Sequence, residues 1–237
     1  MRLLITRPRQ DAEPLAGLLR EMGAQPSVEP LLFIDLEDGP DLDLDGVQAL
    51  LVTSANGVRA LAARTPNRTL PVLAVGDASA RAAGEAGFTD VFSATGDVDG
   101  LARLAGDKLD AAAGSLLHAA GSHLAGDLAG LLEAGGYAYR REILYRARPA
   151  EALSEETQTV IREGQLDGIL FFSPRTAATF VRLLGEAGLQ DACGGLVAFC
   201  LSPAVAEQVA AVPWSGVRTA EKPEQQALLQ DVMSSLE

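Results

Sequence analysis

The sequence has little of what metal sites, disulfide scaffolds and polyanion-binding grooves are built from. Its 237 residues hold two cysteines, Cys193 and Cys200, and two histidines, His118 and His123. That is too few soft ligands for a four-ligand zinc site and too few cysteines for a disulfide framework. The histidines stand five apart rather than at the i, i+4 spacing of a helical metal pair, so both read as structural. Lysine occurs only at Lys108 and Lys222, and 19 basic residues against 32 acidic ones give a net charge of −13. Such a balance disfavours a groove that follows the phosphates of a nucleic acid or an anionic membrane surface. No run approaches the roughly 18 apolar residues of a membrane span, and the apolar part of Met1–Pro8 is too short for an export signal. A cytoplasmic location is the expectation. Neither GxGxxG nor GxxxxGK[ST] is present, no Ser-His-Asp order stands out, and nucleotide binding has no motif behind it.

What the sequence does have is one phrase written repeatedly: a short apolar block, a small or hydroxyl residue, then an amphipathic stretch closed by glycine. Arg2–Thr6 reads as a strand, and Leu15, Leu18, Leu19 and Met22 recur at helical spacing up to Gly23. Val47–Thr53 leads into a helix from Ser54-Ala55-Asn56, and Pro71–Val75 leads through Gly76-Asp77 into an alanine-rich helix ending at Gly87. Leu116-Leu117-His118 runs to Gly121, and Leu124, Leu128, Leu131 and Leu132 suggest the following helix. Asp167–Phe172 and Leu196–Cys200 close the series, each followed by Ser-Pro, an N-cap hydroxyl before a proline suited to the first turn. The alternation predicts an α/β protein with mostly parallel sheets.

The phrases also match across the two halves of the chain. Leu50–Asn56 resembles Ile169–Arg175 at an offset of 119, and Val72–Gly76 resembles Leu196–Cys200 at an offset of 124. A duplication of this kind predicts two similar lobes with a cleft between them. The expected division is 1–33 plus 148–237 for one lobe and 36–143 for the other, with hinge strands near 32–36 and 143–148.

Hydroxyl residues mark four strand-to-helix junctions: Thr53-Ser54, Ser79, Ser173 and Ser202. Helix N-termini at the carboxyl ends of parallel strands carry partial positive charge and can receive anions, while each serine can equally serve as an N-cap worth about 1 kcal/mol. Tyr145 is flanked by Arg140, Arg141, Arg146 and Arg148, cations expected to lower its pKa and help it pass a proton to a leaving oxygen. A strand tyrosine with a wet tip is the plainer reading. Arg7, before Pro8, either points into the cleft or pairs on the surface.

In order and spacing, Leu4-Ile5-Thr6-Arg7-Pro8, Thr53-Ser54-Ala55-Asn56-Gly57-Val58, Val75-Gly76-Asp77-Ala78-Ser79-Ala80, Gly100-Leu101, Tyr145-Arg146 and Phe172-Ser173-Pro174-Arg175-Thr176-Ala177 resemble the uroporphyrinogen-III synthase family over nearly the whole chain. The resemblance implies two flavodoxin-like lobes, each a parallel sheet flanked by helices, joined by a two-stranded hinge. It implies a cofactor-independent lyase of tetrapyrrole and heme biosynthesis, which cyclises the linear tetrapyrrole hydroxymethylbilane with loss of water and inversion of the last ring. Tyr145 would assist departure of the hydroxyl group. Arg7, Ser54, Ala55, Asn56, Ser79, Ser173, Pro174, Arg175 and Ser202 would bind the substrate's carboxylates. A monomer is implied, meeting hydroxymethylbilane synthase transiently, with no metal, nucleic acid or membrane. Cys200-Leu201-Ser202-Pro203-Ala204 stands where the family often repeats Gly-x-x-Thr-Ala. That departure motivates an alternative, a non-catalytic tetrapyrrole-binding or regulatory protein on the same fold.

Overall fold

The apolar blocks form strands and the amphipathic stretches after them form helices. The computed structural model describes residues 1–237 except Thr95, Leu124, Ala125, Leu236 and Glu237. The first half of the chain runs β1 (Arg2–Ile5), α1 (Arg9–Glu21), β2 (Gln25–Val28), β3 (Leu32–Leu36), β4 (Val47–Val52), α2 (Ala55–Arg64), β5 (Val72–Ala74), α3 (Asp77–Glu85), β6 (Val91–Ser93) and α4 (Val98–Lys108). The second runs β7 (Ser115–Gly121), α5 (Leu128–Ala134), β8 (Tyr139–Pro149), α6 (Glu155–Arg162), β9 (Gly168–Phe171), α7 (Pro174–Glu186), β10 (Val197–Cys200), α8 (Pro203–Val209), β11 (Gly216–Thr219) and α9 (Gln225–Met233).

Two compact units result, Met1–Phe33 with Arg148–Glu237, and Ile34–Ala147. The chain changes unit within β3 and within β8. Among the described residues the first unit's sheet has the order β2-β1-β9-β10-β11, and the second has β8-β7-β4-β5-β6 with β3 outside β8. All the pairings among the five strands of each order are parallel. In chain order the first sheet reads 2-1-3-4-5, the order of a flavodoxin-like fold, and the five parallel strands of the second read 3-2-1-4-5; in both doubly wound orders the ligand position lies where the order reverses. The duplication is crossed: the first sheet joins β1 and β2 from one sequence copy to β9, β10 and β11 from the other.

Helices cover both faces of each sheet, as parallel strands with near-continuous apolar sequence require. In the first unit Leu4, Ile169, Phe171 and Cys200 pack with Phe180, Leu183 and Leu184 of α7. On the opposite face Leu3, Ile5, Leu170 and Phe199 meet Leu15 and Leu19 of α1 and Leu228 and Val232 of α9. In the second unit Leu50, Val52, Leu117 and Ala119 pack with Val58 and Leu61 of α2. Ala49, Leu51, Leu73 and Leu116 pack with Leu101 of α4 and Leu128 and Leu132 of α5. Full burial of each such leucine or phenylalanine contributes about 1.5–3 kcal/mol.

Three local expectations are corrected. Helix α5 starts at Leu128, where Asp127 accepts the Gly130 N–H at 3.0 Å, and the expected helical Leu124 lies outside the described residues. Strand β8 begins at Tyr139 rather than near 143. The third correction concerns the duplicated turn. Leu50 pairs with Val72 and its counterpart Ile169 pairs with Ala198, so the copies are offset by 126 here, not 124. Gly76 therefore corresponds to Ser202, and both are the residue before their helix. Cys200 corresponds to Ala74, a buried strand position. Gly76 has φ −174° and Ser202 φ −156°, extended backbone open to any residue, so the missing glycine leaves the turn intact.

Candidate functional site

In the second unit the strand order reverses between β7 and β4. A cavity of about 450 Å³ opens in this unit, lined by Thr53, Val75, Gly96, Asp97, Val98, His118, His123, Gly126, Leu128 and Tyr145. Thr53 and Val75 directly follow β4 and β5, so the cavity stands at the carboxyl ends of the strands, as the topology requires.

Tyr145 reaches this place through an irregularity in β8. Register shifts as Ala120 opposes Ile143 but Gly121 opposes Tyr145. The phenol ring then lies against Gly121: a Cβ added there would meet Tyr145 Cζ at 2.6 Å and its hydroxyl at 2.9 Å. Only glycine leaves room for the ring in this pose. The Tyr145 hydroxyl is 2.8 Å from Ser54 Oγ, and Ser54 Oγ also accepts the Gly57 N–H at 3.0 Å as the N-cap of α2. A phenol is thereby tied to a helix N-terminus, where developing negative charge is favoured.

Three of the arginines near Tyr145 have partners of their own. Arg140 donates to the Asp43 carbonyl and stands 3.8 Å from Glu142, and Arg146 pairs with Glu37. Arg141 donates to the carbonyls of Gly121 at 2.8 Å and Ser122 at 3.3 Å, fastening the segment after β7.

The other residues singled out in the sequence divide between the units. Ala55 and Asn56 open α2 beside Ser54, with Asn56 Oδ1 accepting from Arg59. Ser79 is the third residue of α3, just beyond Gly76-Asp77; it is buried and donates its N–H to the Gly76 carbonyl at 3.0 Å. In the first unit the order reverses between β1 and β9, and Arg7 and Ser173 follow those strands. Arg7 lies over the Phe172 ring, 4.5 Å from its centre, and donates to Gln225 Oε1 at 2.8 Å. Ser173 caps α7 by accepting the Thr176 N–H at 3.2 Å, with Pro174 and Arg175 as the first two helical residues. Ser202 precedes α8 without a side-chain cap bond.

Sequence reasoning missed the connection among three residues on or behind the cavity wall. His118, 1% exposed, has Nε2 at 3.1 Å from Thr53 Oγ1 and Nδ1 at 2.7 Å from the Tyr139 hydroxyl. Burial, reinforced by the nearby Arg141 charge, pushes its pKa down from 6.5 to about 4. Burial raises the Tyr139 pKa above the ordinary phenol value, outweighing Arg141. The available signal was positional: Thr53 ends the strand at the order reversal and His118 lies in the strand beside it. Among the described residues no cluster of three or more potential metal ligands occurs, and no helix is long and apolar enough to cross a membrane.

Two solved structures share this architecture. The uroporphyrinogen-III synthetase of Helicobacter pylori is 18% identical, with 99% of this chain and 100% of that one covered and a TM-score of 0.63. A mutant uroporphyrinogen III synthase of the extremely thermophilic bacterium Thermus thermophilus is 18% identical, with 100% and 98% covered and a TM-score of 0.56. At that identity the likeness establishes the fold. No curated protein matches the chain. The family model described as uroporphyrinogen-III synthase HemD matches residues 13–230, nearly the whole length, and the chain belongs to the uroporphyrinogen-III synthase family.

Proposed function

We propose that the protein converts hydroxymethylbilane to uroporphyrinogen III and that Tyr145 supplies the proton for the departing hydroxyl. The observation that carries this reading is the Tyr145 hydroxyl on the cavity wall, 2.8 Å from the Ser54 hydroxyl at the start of α2. With Ser54 Oγ–H donating to Tyr145 Oη, the phenol proton is left to face the substrate. Its transfer to the hydroxymethyl oxygen breaks the C–O bond and releases water. The cation left on the carbon is delocalised onto the pyrrole nitrogen, and the phenolate is stabilised by Ser54 and the α2 terminus. Closure with inversion of the last ring breaks that ring's C–C bond to its original bridge carbon, forms two C–C bonds in exchange and returns one proton, so the sum is loss of water with no oxidation or reduction.

Binding is assigned to Ser54, Ala55 and Asn56 at α2, and in the first unit to Arg7, Ser173, Pro174, Arg175 and Ser202. Their support is that each stands at or just beyond the carboxyl end of a parallel strand, where α/β sheets receive ligands. Binding at α3 is assigned to Ser79 in its first turn, beyond the carboxyl end of β5. The reading includes a cofactor-free, cytoplasmic monomer that takes its substrate from hydroxymethylbilane synthase during brief encounters, with 32–36 and 143–148 as the hinge strands.

The test is a coupled assay in which hydroxymethylbilane is generated enzymatically, this protein is added, and the oxidised products are resolved into isomers I and III. Mostly isomer III is expected. Isomer I alone, the spontaneous product, from folded protein would overturn the reading. Tyr145→Phe is expected to lower kcat by about 10²–10⁴, the range for a lost proton donor.

A further inference from the structure

His118 is buried within a continuous hydrogen-bonded line from Tyr139 to Thr53, and only the Thr53 end, with His118 itself, reaches the cavity. A neutral imidazole has one donor and one acceptor nitrogen, so the line has a direction. Tyr139 decides it. A phenol is a better donor than acceptor, and burial holds this one protonated. Tyr139 O–H therefore donates to Nδ1, and Nε2–H donates to Thr53 Oγ1. With a lone pair occupied by His118, the Thr53 hydroxyl keeps its own hydrogen for the cavity.

We infer that His118 is a positioning residue which fixes Thr53 as a hydrogen-bond donor to a carboxylate of the substrate. The inference rests on the functional reading above and adds the group that Thr53 receives and the residue that orients it. A hydroxyl free to rotate would present hydrogen or lone pair to the cavity; one bonded through Nε2–H presents hydrogen only. An acidic substrate gains from this fixed polarity, whereas a substrate N–H facing Thr53 would be opposed.

His118 occupies the strand β7 in the middle of the sheet, where a void would harm folding, so the test spreads over several variants. Glutamine places its amide nitrogen near the Nε2 position, and asparagine can place its carbonyl oxygen near Nδ1, where it accepts from Tyr139. His118→Gln is expected to stay within about threefold of wild type in kcat/KM, since it still donates to Thr53. His118→Asn keeps a partner for Tyr139 but loses the donor to Thr53. It is expected to match Thr53→Val, which leaves the β7 core untouched. Both should lose about ten- to a hundredfold in kcat/KM, carried by KM, the size expected for one hydrogen bond to a charged group. Thr53→Ser should recover most of that loss.

Two readouts stand apart from turnover. Long-range 1H–15N correlation of the His118 imidazole at pH 7 should show protonated Nε2 and bare Nδ1. Binding of uroporphyrin III, a stable octacarboxylate, should weaken about tenfold in Thr53→Val. An Nδ1–H tautomer, or a Thr53→Val protein with unchanged KM and unchanged porphyrin affinity, would overturn the inference. Isomer I alone from the wild type would overturn the catalytic reading instead, and the tautomer and porphyrin affinity would still decide this one.

Discussion

Gly121→Ala isolates the position of the Tyr145 phenol from its chemistry. The backbone at Gly121 lies outside the left-handed region, so alanine meets no conformational strain in β7. What it meets is the Tyr145 ring, at 2.6 Å to Cζ and 2.8 Å to Cε2. On the other side of the contact is the β7 backbone, which is paired with both β4 and β8 and has little freedom. The ring must give way by about 1 Å to restore ordinary van der Waals separation, and a hydroxyl 2.8 Å from Ser54 Oγ cannot follow that shift and keep its bond. Misplacement of a reacting group by this amount costs on the order of a hundredfold in rate. Overpacking itself should cost about 1–3 kcal/mol of stability. The assay is initial-rate formation of uroporphyrinogen III with isomer I as the uncatalysed floor, alongside urea denaturation. Tyr145→Phe and the double variant complete a cycle. If alanine acts by moving the hydroxyl, it should change kcat little once the hydroxyl is gone. Wild-type kcat in folded Gly121→Ala, or an equal further loss in the Tyr145→Phe background, would refute the reasoning.

The His118 environment sets an acid limit. The folded pKa of about 4 lies below the ordinary 6.5, so between these values the unfolded chain takes up a proton that the folded chain refuses. Stability contributed at neutral pH is lost as pH falls from about 6.5 to 4, amounting to about 3 kcal/mol when complete. Urea titrations of wild type and His118→Gln should diverge in slope across that window, and parallel curves would refute the assignment. Glu29 is a buried carboxylate that accepts from Ser154 N at 2.9 Å, Ser154 Oγ at 2.6 Å and Thr157 Oγ1 at 2.8 Å. Glu29→Gln can serve only part of that donor set and should lower the unfolding free energy by about 1–3 kcal/mol with no change in m-value. Cys193 and Cys200 are fully buried, and burial pushes both thiols up to about 12. Neither should react with a disulfide reagent at pH 8 until the chain is unfolded, when both should.

The repeating pattern made the fold legible because local signals and tertiary packing agree at most junctions. Ser54 and Ser173 are caps in sequence and in space, and Gly23, Gly87 and Gly136 end their helices at positive φ. The site was legible only in part. Tyr145 and Ser54 are 91 positions apart, and the contact between them depends on the register shift opposite Gly121, which no composition or periodicity announces. The same limit explains the misaligned turn. Apolar similarity matched Val72–Gly76 to Leu196–Cys200, whereas hydrogen-bond register moves the match by two residues, a change that alternation with period two cannot detect. His118 was passed over because an apolar strand around a histidine reads as core, and its partners Thr53 and Tyr139 come from two other strands.

The reading of several helix ends as one anion receptor also changes once their caps are seen. At α4 the Asp97 carboxylate accepts the Gly100 N–H at 2.6 Å, and at α5 Asp127 accepts the Gly130 N–H at 3.0 Å. These termini are satisfied by negative charges of their own. Asp97 lines the cavity, and Asp127 lies between Gly126 and Leu128, which also line it. By contrast α2 is capped by a neutral serine and has no acidic residue in its first turn, whereas α3, which begins after Gly76, holds Asp77 in its first turn. Of these four termini α2 alone is free of a carboxylate. An incoming carboxylate is therefore favoured at α2 over α3, α4 and α5. A chain of net charge −13 can thus favour one placement of an acidic group without a lysine in the site, because the residues at each cap and first turn determine which helix ends remain positive.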